Sequence, residues 1–297
     1  MPMKILICSD GSEQADRAIR WGAAVAGGCQ AEVTLLGINE TPGDNTKLLD
    51  SLKRGQALLE DKKINAELVT KSGNVIQEII KRTEEAHYDL VVIGAARKEG
   101  RGAFWMSSKS YRIIKEIKPA VLSIAGTRTT LKRILVCSGG KHYIDNAVRL
   151  TGEIAKGAGA AVGLLHVLPE APGIYSQWPK MVETPELLLK SKSELAVNLR
   201  HSKETLEKLG IAVEIRLRHG VVLDEILREL REGDYDLVVT GSALSQGLRT
   251  YVLGDITREL LNRVTRAVLV VRSEDKPSHS PFSLARWFLK TKARGSG

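Results

Sequence analysis

Along this chain, short β-branched apolar runs alternate with stretches whose apolar residues recur at helical spacing. The first half carries such runs at 4–8, 32–38, 67–70, 89–93 and 120–124. The second half carries them at 133–137, 161–167, 212–217, 236–240 and 267–271. Most are continuously apolar, which marks parallel strands covered by helices on both faces. Between them, "SEQADRAIRWGAAVA" sets Ala15, Ala18, Ile19, Gly22 and Val25 at helical spacing behind Ser12, a candidate N-cap, and "NVIQEIIKRTEEA" does likewise. Strands alternating with helices, joined by right-handed crossovers, give an α/β fold with a doubly wound sheet.

The two halves are copies. "ILICSDGSEQADRAIRWG" from Ile5 aligns without a gap to the stretch from Ile134, an offset of 129. "SGNVIQEII" from Ser72 pairs with "HGVVLDEIL" from His219, and "YDLVVIG" from Tyr88 with "YDLVVTG" from Tyr235, both at an offset of 147. The jump of 18 places one insertion after the second strand of the second copy. The expectation is one fold used twice, over 1–126 and 131–273, joined by a short polar hinge at 126–130 and followed by a tail, 274–297. The inserted stretch, around 169–186, is proline-rich and carries Tyr175 and Trp178. It reads as a surface excursion, with a lid or partner contact as the alternative.

At 297 residues, 43% hydrophobic and 27% charged, the chain suits two soluble domains, each with its own core. No apolar run is long enough to cross a bilayer, and the first residues run straight into a strand, so a cytoplasmic protein is expected. Cys8 and Cys137 are repeat equivalents in apolar strands, and Cys29 sits at a helix-to-strand turn. Their spacing fits no metal site, and reduced thiols are expected. Of the net charge of +9, the stretch from Lys276 onward supplies five, from Lys276, Arg286, Lys290, Lys292 and Arg294 with no acid among them. The remaining mildly basic body gives no reason to expect a nucleic-acid partner.

In a doubly wound sheet, ligands bind at the carboxyl ends of the strands, where the strand order reverses. Three segments of each copy reach that edge. They are the loop after the first strand ("SDGS" and "SGGK"), the end of the second strand at Ile38, and the loop after the fourth ("GAARKEGRGAFWMSS" and "GSALSQGLRTYVLGD").

These segments resemble the universal stress protein family. "YDLVVTGSALSQGLRTYVLGDITRELLNRVTRAVLVVR" is similar to that family's closing segment, "ILICSDGSEQADRAIRWG" to its opening, and "LLHV" at 164–167 to its second strand. The resemblance implies two tandem Rossmann-like five-stranded parallel sheets of order 3-2-1-4-5. It also implies that the two fifth strands meet, so that one chain forms an intramolecular pseudo-dimer; a further homodimer is a separate expectation. In the family's ATP-binding branch it implies Gly, two residues, Gly, nine residues, then Gly followed by Ser or Thr around the phosphates, with an Asp at the nucleoside end. Copy one keeps Asp10, Gly94 and Ser108, but has Arg97 at the second glycine and Ser107 at the third. Copy two keeps Gly241 and Gly254, but has Leu244, Asp255 and, in place of the Asp, Gly139.

A carboxylate at Asp255 would repel phosphates, so copy two is expected not to bind nucleotide. For copy one, two readings stay open. ATP binds with help from Arg97, Lys98 and Arg101, or both sites are relics and those cations are a solvated rim. A Ser at 107 would be strained if that position needs a positive φ. His166 is expected to rim the cleft of copy two.

No P-loop or dinucleotide fingerprint is present, and Asp10 has no acid or nucleophile beside it, so no enzyme is expected. In the tail, Leu284, Trp287 and Phe288 share a helical face opposite the cations. Residues 282–294 could therefore meet an anionic membrane, dock on the body or fray. The expected function is stress-linked regulation by binding, with an unidentified protein partner. The alternatives are a membrane- or transporter-associated accessory protein and an ATP-hydrolysing enzyme of related fold.

Overall fold

The structure, a computed structural model, describes residues 2–40, 45–95, 97–100, 103–139, 145–168, 184–244 and 251–272. The basic tail with its 282–294 segment, Arg101, and most of the insertion with Tyr175 and Trp178 lie outside the described residues.

Copy one runs β1 (Lys4–Ser9), α1 (Glu13–Cys29), β2 (Glu32–Asn39), α2 (Thr46–Asp61), β3 (Ala66–Ser72), α3 (Val75–Glu85), β4 (Leu90–Gly94), β5 (Arg97–Gly100), β6 (Ala103–Met106), α4 (Ser108–Glu116) and β7 (Ala120–Ile124). Copy two runs β8 (Arg133–Ser138), α5 (Asp145–Ala158), β9 (Ala161–Leu168), α6 (Pro185–Lys190), α7 (Glu194–Glu207), β10 (Val213–His219), α8 (Val222–Glu232), β11 (Leu237–Leu244), β12 (Tyr251–Val252), α9 (Asp255–Arg263) and β13 (Ala267–Arg272). Local signals set the helix starts. Ser12 Oγ accepts the Ala15 N–H at 3.2 Å, and Asn74, Ser107 and Ser193 cap α3, α4 and α7 in the same way. The element α6 belongs to the insertion and packs against α7 and β10.

The strand order is β3-β2-β1-β4-β7 in copy one and β10-β9-β8-β11-β13 in copy two. Every neighbouring pair within each five is parallel. This is the 3-2-1-4-5 order, formed twice. β7 and β13, the two fifth strands, then pair antiparallel and join the copies into one continuous sheet.

Leu122 faces Leu269 at the centre of that pairing, flanked by Val121 opposite Val270 and Ser123 opposite Val268. Leu122 and Leu269 are the same position in the two repeats, so the contact is self-complementary about a pseudo-twofold axis. The same axis relates α1 and α5, which cross at Gly28 and Gly157, again one position in the two repeats. A Cβ on Gly28 would stand 2.6 Å from the Gly157 carbonyl carbon, so only glycine admits this approach.

Two expectations need correction. The copies do not keep separate cores. One apolar cluster (Ile5, Ile7, Ile19, Leu35, Ile134, Val136, Ile154, Leu164) lies on the α1, α2, α5 and α7 face. The other (Leu6, Ile79, Val91, Ile114, Leu135, Ile226, Val238, Leu260) lies on the α3, α4, α8 and α9 face. Each runs through both copies because the sheet is continuous. Nor is 126–130 a free hinge. The Arg128 carbonyl accepts from Trp21 Nε1 at 2.6 Å, its guanidinium pairs with Asp234 and Asp236, and Thr130 Oγ1 donates to Asp236 at 2.8 Å.

Candidate functional site

In copy one, β1 has β2 on one side and β4 on the other, so the strand order reverses there. Ser9 pairs with Gly37 and Gly94 with Ile124, which brings Asp10, Ile38 and Gly94 to one carboxyl edge. Asp10 is exposed, and its Oδ1 accepts the Ser12 N–H at 3.0 Å. Gly11 turns the chain at φ +78° and lies against the first turn of α2; a Cβ there would stand 2.8 Å from the Leu48 nitrogen. Ser9 Oγ accepts the Gly11 N–H at 3.2 Å and hydrogen-bonds to Ser51 Oγ at 3.0 Å. The loop after β1 is thus held from both sides, with one carboxylate presented outward.

Gly94 is required by packing: a Cβ would stand 2.5 Å from the Gln14 carbonyl carbon at the start of α1. Ile38, assigned to the site from sequence, is 1% exposed. Its side chain belongs to the core beside Ile76 and Ile79, so the carboxyl edge does not present it. The segment after Gly94, read as a phosphate loop, forms an antiparallel ribbon. Arg97 pairs with Met106, Lys98 with Trp105, Glu99 with Phe104 and Gly100 with Ala103. Such a ladder occupies alternate main-chain groups, and charge-rich "RKEG" gave no apolar alternation from which to read it.

That ribbon packs on copy two: β6 lies against α9, and the Met106 N–H donates to Asn262 Oδ1 at 3.1 Å. Copy two answers with β12, which pairs with β11 and contacts α4. Leu244 thus lies in the equivalent ribbon.

Ser107 has φ −60° and ψ 146°, ordinary extended backbone, so no strain arises there. Gly254 matches it at φ −56° and ψ 158°. Ser107 Oγ accepts the Ser110 N–H at 3.2 Å, which occupies the hydroxyl as a cap. Ser108 lies exposed in the first turn of α4, and no acid stands in that turn. Lys109 in the same turn pairs with Glu40.

Copy two differs at each point. Gly139 offers no carboxylate. Asp255 stands in the first turn of α9, exposed and 3.4 Å from Arg258. His166, where copy one has Gly37, donates Nδ1–H to the Ser138 carbonyl at 2.9 Å. Burial holds its pKa below the usual imidazole value, against the opposing pull of that carbonyl, so the ring is neutral at pH 7. Gly241 lies at the end of the pairing with β13, and its carbonyl accepts from Thr257 Oγ1 at 3.0 Å.

Sequence reasoning missed Arg272. It is 8% exposed and reaches from the end of β13 into copy one. Its Nε donates to the Pro119 carbonyl at 3.2 Å, one terminal nitrogen to the Ile117 carbonyl at 3.0 Å and to the Ile114 carbonyl, and the other to Ser242 Oγ at 2.9 Å. It therefore caps the carboxyl end of α4, the helix whose other end is Ser108. The available signal was one cation closing an apolar strand, where copy one has Ala125.

Two grooves among the described residues lie at the opposite, amino end of the strands, in equivalent places. One of about 400 Å³ is lined by Lys4, Thr34, Glu67, Arg82, His87 and Tyr88; the other, of about 200 Å³, by Arg133, Gly163 and Glu214 among others. In the first, Thr34, Glu67, Arg82 and Tyr88 close a ring of hydrogen bonds on themselves. Among the described residues, no group of three His, Cys, Asp or Glu could hold a metal, and no helix is long and apolar enough to cross a membrane.

The profile of the Universal stress protein family matches residues 1–124 and 130–272. Universal stress protein YxiE of Bacillus subtilis (strain 168) is 28% identical over 145 residues, covering 47% of this chain and 98% of that relative. Among solved structures, a universal stress protein from Archaeoglobus fulgidus DSM 4304 superposes with a TM-score of 0.65 at 18% identity. That match covers 91% of this chain and 98% of that one. A universal stress protein solved in complex with cAMP aligns over 31% of this chain and 75% of its own, at 13% identity and a TM-score of 0.27.

Proposed function

The chain belongs to the universal stress protein family, with two family domains in tandem, and on that premise we propose that it acts in stress-linked regulation by binding, not turnover, with an adenine nucleotide such as ATP held in copy one alone. The observation that carries this reading is the contrast between two equivalent helix starts. The first turn of α4 has Ser108 and no acid, whereas α9 opens on Asp255. An anion is favoured at the first by the helix dipole and repelled at the second by a carboxylate already there. Asp10 sharpens the contrast, because it is exposed at the strand-order reversal where copy two has Gly139.

In this reading, Asp10 takes the sugar end of the nucleotide, and the free amides and Ser108 hydroxyl of α4 take the phosphates. Arg97 contributes through the ribbon backbone, not as a glycine-like cradle. The signal travels along α4 to Arg272 and so into copy two. Isothermal titration with ATP tests it. Asp10→Ala is expected to abolish binding, and Gly254→Ala, at a backbone any residue adopts, to leave it unchanged. Equal loss in both variants, or no uptake by the wild type, contradicts the proposal.

A further inference from the structure

The continuous sheet has two outer strands, and they are treated differently. β10 has α6, the extra helix of the insertion, packed against it, and its Arg216 and Arg218 are tied to Glu214, Glu229 and Glu232. Among the described residues, β3 has α2 of its own copy beside it and no counterpart of α6. Glu67, Leu68, Thr70, Lys71 and Ser72 are all exposed, Leu68 at 47%. Bare edges of this kind are templates for another strand.

The direction of the free main-chain groups follows from the hydrogen bonds. The Gly73 N–H donates to the Asn39 carbonyl at 3.0 Å, so odd-numbered residues of β3 turn their groups toward β2. The even-numbered Ala66, Leu68, Thr70 and Ser72 turn theirs outward. An antiparallel partner must match outward groups to outward groups, which restricts the register.

We propose that β3 pairs with β3 of a second copy of this chain, antiparallel and centred on Val69. In that register Leu68 and Thr70 of each chain form the hydrogen-bonded pairs. Val69 then faces Val69, and Glu67 of each chain faces Lys71 of the other, in the non-hydrogen-bonded positions where side chains are closest. Shifting the register by one step in either direction loses both charge pairs. Among the described residues Lys71 has no ion-pair partner, so a second chain supplies one. Glu67 is 56% exposed even while one of its oxygens holds Arg82. With α6 beside β10 and its arginines tied, β3 against β3 is the pairing that closes as a dimer, whereas β3 against β10 would propagate without limit.

A pairing seven residues long is a small interface, so the dimer is concentration-dependent. Sedimentation velocity of the full chain over a dilution series tests it. Thr70→Pro removes only an outward N–H, which a folded edge strand tolerates, and it is expected to give a monomer. Lys71→Glu sets like charges opposite each other and is expected to weaken association at least tenfold. Amide exchange at high concentration is expected to slow at Leu68 and Thr70 relative to dilute protein. A wild type that stays monomeric, or a dimer indifferent to both substitutions with those two amides unprotected, overturns the proposal.

Discussion

Asp89 and Asp236 are one position in the two repeats, and each fixes the start of its copy's first strand. Asp89 Oδ2 accepts the Lys4 N–H at 2.8 Å; Asp236 Oδ2 accepts those of Lys132 at 2.7 Å and Arg133 at 3.1 Å. Asp236 also takes Thr130 and Arg128 of the linker. Burial alone would raise its pKa, but the Lys132 amide, Thr130, the Arg133 amide and Arg128 together hold it below the ordinary carboxylate value. A depressed folded pKa contributes stability that is complete above the unfolded value, about 3.9, and is lost as pH falls through the folded one. Asp236→Asn is therefore expected to cost about 2 kcal/mol in urea unfolding at pH 7. The gap between wild type and variant should close as the pH is lowered past that range. A gap that persists unchanged in strong acid would show that the charge is not what stabilises.

Among elements, the crossing of α1 and α5 is the sharpest test of the pseudo-twofold. Gly28→Ala must push a Cβ into Gly157 backbone and is expected to destabilise by about 1–3 kcal/mol. Its neighbour Gly27 meets the flexible Lys62 side chain at 3.3 Å and Ile64 Cδ1 at an ordinary 3.8 Å, so Gly27→Ala should be neutral or stabilise by up to about 1 kcal/mol through helix propensity. Thermal melts of the two variants read the difference. The strands themselves were legible in the sequence, because continuous apolar runs have one explanation in a covered parallel sheet and the repeat doubled every observation. The ribbon of β5 and β6 was not legible, since it packs against α9 of the other copy, a contact that local sequence does not carry. Ile38 was misread for a related reason: position along a strand places a residue at an edge, but packing decides where its side chain goes. Arg272 and Gly28 were hidden by the same limit. What makes them matter is a neighbour more than a hundred residues away.

The described residues are built around one main sheet clamped at its middle, by β7 against β13, by α1 against α5, and by Arg272 on α4. A buried guanidinium that satisfies three main-chain carbonyls cannot be replaced by an apolar side chain without leaving them unpaired. Arg272→Met is thus expected to cost about 2–3 kcal/mol and to split a single calorimetric transition into two. An unchanged single transition would mean that Arg272 does not couple the copies. The same clamp places the α4 end of the candidate nucleotide site under the influence of copy two. On the proposed function, the two copies are alike in fold and differ in whether they bind nucleotide. Photo-crosslinking with 8-azido-ATP, read by native and peptide mass spectrometry, addresses it directly. One nucleotide per chain is expected, attached to peptides from 5–40 or 94–110. Two nucleotides per chain, or label in 134–168 or 241–257, would contradict it.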